Sequence, residues 1–199
     1  MRARIRAVIF DMDGTLTRPR IDWAALKTEI GIQSGPVLEY MQSRPQAEQA
    51  RILEILERYE HEAAVNAEPG EGLQELFDYL EKNGIKKGIV TRNSRKASLL
   101  TLSVLKISVD ALITREDAPP KPDPKGLLMA AGAMACASRE CIMVGDYKFD
   151  IMAGRAAGMT TVLIGRDNSL AGADCEAADF CVTTLAEIVP LLAALNGPR

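Results

Sequence analysis

Apolar positions along this chain fall into short blocks of two kinds. Ile5 to Phe10 is a brief, mostly apolar run that ends on Asp11, the pattern of a buried strand whose C-terminal tip presents a polar group. From Ile21 to Asn66 the spacing becomes helical. Trp23, Leu26, Lys27 and Ile30 share one side of a first helix, and Ile52, Ile55, Leu56 and Tyr59 share one side of another. Gly31, Gly35, Pro36 and Pro45 interrupt the stretch, so it reads as an all-helical insertion of three helices. It joins the rest of the chain through the loops Thr17 to Arg20 and Glu68 to Gly72.

After Pro69 and Gly70 the two patterns alternate. Helices are predicted over Leu73 to Lys82, Arg95 to Leu105, Pro124 to Ala135, Phe149 to Ala157 and Leu185 to Leu195. Strands are predicted over Lys86 to Val90, Ala111 to Thr114, Cys141 to Val144 and Thr160 to Ile164, with a weaker one at Phe180 to Val182. Strands alternating with helices of this length predict an α/β fold: a Rossmann-like three-layer α/β/α core with a parallel sheet, plus the small α-helical insertion. Ligands of such sheets bind beyond the C-terminal ends of the strands, so the residues just after each strand carry the functional information.

Composition narrows the class. The 199 residues are 47% hydrophobic and 26% charged with a net charge of -3, ordinary for one main globular domain and without the basic excess of a polyanion binder. No nucleic-acid partner is expected. The apolar run behind the basic Met1 to Arg6 is too short for a signal-peptide core, and no apolar stretch approaches the roughly 18 residues of a membrane span. The expectation is a cytoplasmic protein without a membrane partner. Cys136, Cys141, Cys175 and Cys181 form no C-x-x-C pair and lie far from the single histidine, His61, so they are expected as reduced, packed thiols rather than zinc ligands.

The strand tips carry acids and hydroxyls. Asp11-Met12-Asp13-Gly14-Thr15 follows the first strand, Thr91-Arg92-Asn93-Ser94 the second, and Gly145-Asp146-Tyr147-Lys148-Phe149-Asp150 the fourth. Lys121, in Pro120-Lys121-Pro122-Asp123-Pro124, precedes a helix and reaches the same edge. Four carboxylates in one crevice resist ionising together unless a cation neutralises them. Oxygen donors without nearby histidine or cysteine favour a hard divalent ion, magnesium first.

These four segments, in this order, resemble the signature of the haloacid dehalogenase superfamily, specifically its phosphatase branch with a helical cap inserted after the first motif, as in phosphoglycolate phosphatase-like members. The resemblance implies a catalytic core of residues 1–16 and 70–199 and a cap of residues 17–69. It implies that Asp11 is the nucleophile forming an aspartyl-phosphate and that Asp13 is the general acid and base. The metal Mg2+ would be held by Asp11, Asp146, Asp150 and the backbone carbonyl of Asp13. Thr91 and Lys121 would bind the transferring phosphoryl group, and Gly14 would let the chain turn away from the site. The second acid, Asp13, favours phosphate chemistry over dehalogenation. The expected reaction is hydrolysis of a small phosphorylated metabolite; a phosphomutase-type transfer and a non-catalytic phosphate-binding module are the alternatives. Oligomeric state is left open between monomer and dimer.

One departure from the family pattern concerns the phosphate loop. Many related phosphatases carry Asn directly after the Thr, whereas here Arg92 stands between Thr91 and Asn93, so either of them is a candidate for substrate contact. Arg18 and Arg20, in the loop entering the cap, are further candidates for meeting an anionic substrate. Trp23 is expected to pack on its apolar helical face, His61 to be exposed, and the mixed charges from Glu48 to Glu62 to form a solvated helix face. At 53 residues, counted from Thr17 through Pro69, the cap is short for this branch and carries no motif that names a substrate.

Overall fold

Four consecutive buried residues form β1 (Ala7–Phe10), and their side chains divide between the two faces of one sheet. The computed structural model describes residues 3–165 and 177–197. After β1 come three helices, α1 (Trp23–Ile30), α2 (Val37–Gln42) and α3 (Gln46–Val65). Then α4 (Leu73–Lys82), β2 (Lys86–Val90), α5 (Arg95–Leu105), β3 (Ala111–Ile113), α6 (Lys125–Ala133), β4 (Cys141–Gly145), α7 (Lys148–Ala156) and β5 (Thr160–Ile164) alternate as expected. Within the described residues β6 (Phe180–Val182) and α8 (Ile188–Asn196) complete the order.

The six strands are parallel in the order β3-β2-β1-β4-β5-β6. β1 is central, with Phe10 level with Ile89 of β2 on one side and Val144 of β4 on the other. The chain leaves β1 toward β2 and later returns to its other side at β4, so the strand order reverses at β1. That reversal opens a crevice at the carboxyl ends of β1, β2 and β4.

Alternation along the strands supplies two cores. Val8, Phe10, Ile89, Ile142 and Val144 face α4 and α8, meeting Leu73, Leu76, Phe77 and Leu80 from one and Ile188 and Leu192 from the other. The four α4 residues recur at helical spacing on one stripe, which is why that helix lies flat on the sheet. Ala7, Ile9, Val90 and Met143 face the opposite way, onto Leu127 and Ala130 of α6 and Ala153 of α7. Helices on both faces make the three-layer arrangement expected from the alternation.

The helices between β1 and α4 bury a third cluster, including Leu26, Ile30, Val37, Leu38, Ile52, Ile55 and Leu56. Each such side chain contributes roughly 1.5–3 kcal/mol when fully buried, enough in sum to hold three short helices together. Asp22 starts α1 by accepting from the N–H groups of Ala24 and Ala25, and Gly31 ends it in the left-handed conformation. α3 packs along α5, so this bundle rests directly on the core.

The structure departs from the sequence expectations in several places. Trp23 is not packed but 47% exposed, because it opens the first turn of α1, whose inward stripe is carried by Leu26 and Ile30. The charged face of α3 is not wholly solvated, since Glu60 is buried against α5 and the loop after β3. The closing helix is preceded by a separate 3₁₀ turn, Leu185–Glu187, and Pro190 falls in the first turn of α8, where its missing N–H costs nothing. Cys136 and Cys141 are free and buried, but Cys181 is disulfide-bonded; residue spacing does not report the Cβ separation that decides pairing. Cys175 lies outside the described residues. Among the described residues no helix is long and apolar enough to cross a membrane.

Candidate active site

Asp11 sits one residue beyond β1, and its N–H continues the parallel pairing by donating to the carbonyl of Val144 at 2.8 Å. Its carboxylate is thereby carried to the carboxyl edge of the sheet beside the tip of β4. Lys121 Nζ lies 2.5 Å from Asp11 Oδ1 and 2.6 Å from Asp150 Oδ1, and the lysine is buried. Burial acts to strip that ammonium of its proton, but the charges of Asp11 and Asp150 outweigh it and hold the pKa above its ordinary value.

Asp150 stands in the first turn of α7 and also accepts from the Tyr147 N–H at 3.0 Å, so the helix start and the lysine fix its carboxylate from two sides. Gly145 permits this approach: a Cβ there would lie 2.3 Å from Asp150 Cβ. Gly14 does the same for Asp146. It adopts φ +82°, and a Cβ would lie 2.2 Å from Asp146 Oδ2. Thr15 Oγ1 donates to Asp146 Oδ1 at 3.4 Å.

Asp11, Asp146 and Asp150 each offer an oxygen within 4.8 Å of the others. Three carboxylates face one ammonium, so the group carries uncompensated negative charge. Burial first, and then the charges of Asp11 and Asp150, push Asp146 up to about 8, although the residue as a whole reaches solvent. Burial also pushes Asp150 up to about 6, against the opposing pull of Lys121. Crowded carboxylates that resist ionisation, all oxygen donors and two of them cradled by glycine, fit a hard divalent cation.

The Asp13 carboxylate is engaged elsewhere. Asn93 Nδ2 donates to its Oδ2 at 2.5 Å and Thr17 Oγ1 to its Oδ1 at 3.4 Å. Burial, followed by the charge of Asp11, raises its pKa to about 6 despite these hydrogen bonds. An acid near this value donates and recovers a proton around neutral pH. Thr91, buried beyond β2, accepts from the Asn93 N–H at 3.1 Å, an arrangement that leaves its hydroxyl proton for another acceptor.

Arg92 and Asn93 separate cleanly. Asn93 is buried on Asp13, while Arg92 Nη1 donates to the carbonyl of Lys121 at 2.5 Å and Nη2 to Glu39 of α2 at 2.6 Å, with its guanidinium 5.3 Å from the Phe149 ring centroid. Arg18 and Arg20 lie exposed in the entering connection. The Arg20 guanidinium is paired with Glu68 of the returning connection, and the Arg18 N–H donates to the Glu68 carbonyl at 2.9 Å. The structure therefore joins Asp11, Asp13, Gly14, Thr91, Arg92, Asn93, Lys121, Asp146 and Asp150 around one crevice, with Arg20 bound at the junction between the two connections.

Glu39, Glu60 and Arg115, which lie outside the strand-tip segments, also shape the site, as does Phe149, which lies within the fourth segment. Glu60 is buried, accepts from the Ser94 N–H at 3.1 Å and pairs with Arg115. Arg115 in turn donates to the Arg92 carbonyl at 3.3 Å, so the loop after β2 is tied to both residues. The one available sequence signal is that Glu60 shares the helical stripe of Ile52, Leu56 and Ala63, an acid on an otherwise buried face.

Residues 18–164 match the family model described as haloacid dehalogenase-like hydrolase. An uncharacterized hydrolase of Saccharomyces cerevisiae is 34% identical over 96% of this chain and 93% of its own length. A phosphoglycolate phosphatase of Xanthomonas campestris is 32% identical over 79% of this chain and 81% of its own. Among solved structures, a hydrolase from Pseudomonas syringae superposes with a TM-score of 0.81 at 22% identity, covering 96% of this chain and 100% of that one. With the acids, the lysine and the threonine assembled at the expected sheet edge, the chain belongs to the haloacid dehalogenase-like hydrolase family, as an enzyme of its phosphatase branch.

Proposed function

We propose that this protein is a magnesium-dependent phosphatase that hydrolyses a small phosphomonoester through an aspartyl-phosphate on Asp11. The observation that carries the reading is the division of labour among the acids. Asp11 shares Lys121 with Asp150 beside Asp146, whereas Asp13 is held apart by Asn93 and Thr17 at a pKa of about 6.

In this reading an Asp11 oxygen attacks phosphorus while Lys121 holds the other carboxylate oxygen and balances charge on the phosphoryl group. Thr91 donates its hydroxyl to a phosphoryl oxygen. Asp13, protonated, gives its proton to the leaving oxygen, then takes one from the water that hydrolyses the acyl phosphate. Asp11, Asp146, Asp150 and the Asp13 carbonyl would hold Mg2+, which supplies charge neutralisation for the phosphate and the crowded carboxylates. Residues 17–69 serve as a cap over the core of residues 1–16 and 70–199, and a cytoplasmic location suits a small-metabolite substrate.

The phosphatase name of a relative at 32% identity supports the substrate class. The test is a panel of phosphorylated acids, sugars and nucleotides incubated with MgCl2, read as inorganic phosphate. Release that disappears in Asp11→Asn and in EDTA is expected. Turnover retained by Asp11→Asn would overturn the nucleophile assignment, and conversion of a phosphosugar without free phosphate would replace hydrolysis by intramolecular transfer.

A further inference from the structure

We infer that Arg92 is the specificity-determining residue of this site, and that it receives a carboxylate of the substrate in the place held here by Glu39. The inference rests on the phosphatase reading and adds the class of substrate: a small phosphomonoester that also carries a carboxylate.

The first ground is that the core alone fixes the Arg92 guanidinium. The residue follows Thr91 directly, its carbonyl accepts from Arg115, its Nη1 donates to the Lys121 carbonyl at 2.5 Å, and its planar head lies 5.3 Å from the Phe149 ring centroid. A guanidinium held by a carbonyl and an aromatic ring is oriented before any ligand arrives. Lys121 is also the residue whose Nζ touches Asp11, so one residue links the Arg92 guanidinium to the nucleophile.

The second ground is the partner that the core does not supply. Glu39 belongs to α2 in the helical cluster, and its carboxylate meets Nη2 at 2.6 Å. The pair is partly open, with side-chain exposures of 24% for Arg92 and 39% for Glu39. Glu60 and Arg115, by contrast, are 2% and 9% exposed. A solvent-accessible ion pair contributes little and exchanges partners readily, whereas a buried one is a fixed structural element. Glu39 thus presents to Arg92 the same planar, bidentate-competent group that an acid substrate would bring. A neutral alcohol moiety offers nothing to displace it.

A probe pair separates the roles: 2-phosphoglycolate and ethyl phosphate share the ester and differ in the carboxylate. The expected result is a wild-type kcat/KM ratio well above one for the acid over the neutral ester. Arg92→Met lowers that ratio at least tenfold, mainly through KM, and Arg92→Lys recovers part of it. Glu39→Gln raises the ratio, because the internal competitor is gone. If Arg92 only clamps the cap, both Arg92→Met and Glu39→Gln lower activity on the two esters alike, and the inference is overturned. A wild-type ratio near one overturns it as well while leaving the phosphatase reading intact. Phosphate from neither these nor any other ester would end both.

Discussion

Asn93 and Asp13, 80 residues apart in the chain, share a 2.5 Å hydrogen bond from Nδ2 to Oδ2 at the mouth of the crevice. The amide both orients the acid and, by stabilising its ionised form, partly offsets the burial that raises its pKa to about 6. Replacement of Asn93 by alanine is therefore expected to do two things. The value of kcat should fall by up to about 100-fold, the lower end of what general acid–base catalysis contributes. The pH above which Asp13 can no longer donate should move upward, because the interaction that lowers its pKa is lost. A pH profile of kcat measures both, and an unshifted profile would remove Asn93 from any role in tuning the acid.

Lys121 neutralises two carboxylates at once, the half-buried Asp11 and the buried Asp150. Lys121→Met leaves them facing each other, and breaking a buried pair costs about 3–5 kcal/mol. In metal-free protein at pH 8 the loss of unfolding free energy should approach that range. Near pH 5 it should be smaller, since Asp150 then carries a proton. Urea denaturation at the two pH values provides the check.

Metal and protons compete for the same acids. Asp13 and Asp150 are raised to about 6 and Asp146 to about 8 from an ordinary 3.8. Carboxyls raised in the folded state add stability that is complete below their unfolded pKa and is lost as pH climbs through the folded values. In EDTA, melting temperature should accordingly rise as pH is lowered from about 8 toward about 4, the window between the folded values and the ordinary 3.8. Saturating MgCl2 should raise the melting temperature most at the alkaline end, because binding to the native state alone stabilises it by mass action. A thermal-shift series over pH, with and without Mg2+, would show a flat apo curve if the acids were not crowded as described.

Glu60 and Arg115 form the buried tie between α3 and the loop after β2. Either Glu60→Met or Arg115→Met alone leaves one charge buried without its partner and should cost on the order of 3 kcal/mol. The double substitution should cost clearly less than the two singles added together, as expected for residues in direct contact. Additive losses would show that the two residues act independently. Hydrogen exchange of α3 should remain slow in the presence of a phosphate analogue, with changes confined to α1 and α2, because α3 is anchored to the core.

The order of strands and helices and the parallel sheet were legible along the chain, and so was the sheet edge at which Asp11, Asp13, Thr91, Lys121 and Asp146 gather. Apolar runs and helical stripes report burial directly, and residues just past a parallel strand must emerge at one edge. Which neighbour serves which acid was not legible. Arg92 and Asn93 are adjacent in sequence, yet only the turn after β2 decides that Asn93 points at Asp13 and Arg92 at Glu39. Glu60 reads as one more charge on a polar helix until Arg115, 55 positions later, is brought against it. Trp23 reads as a core residue by type, and only the packing of α1 leaves it at the surface. Periodicity is a local property that one element can express alone. The pairing of charges depends on distances between elements, and those exist only once the sheet, α3 and the loops around β2 and β3 have assembled.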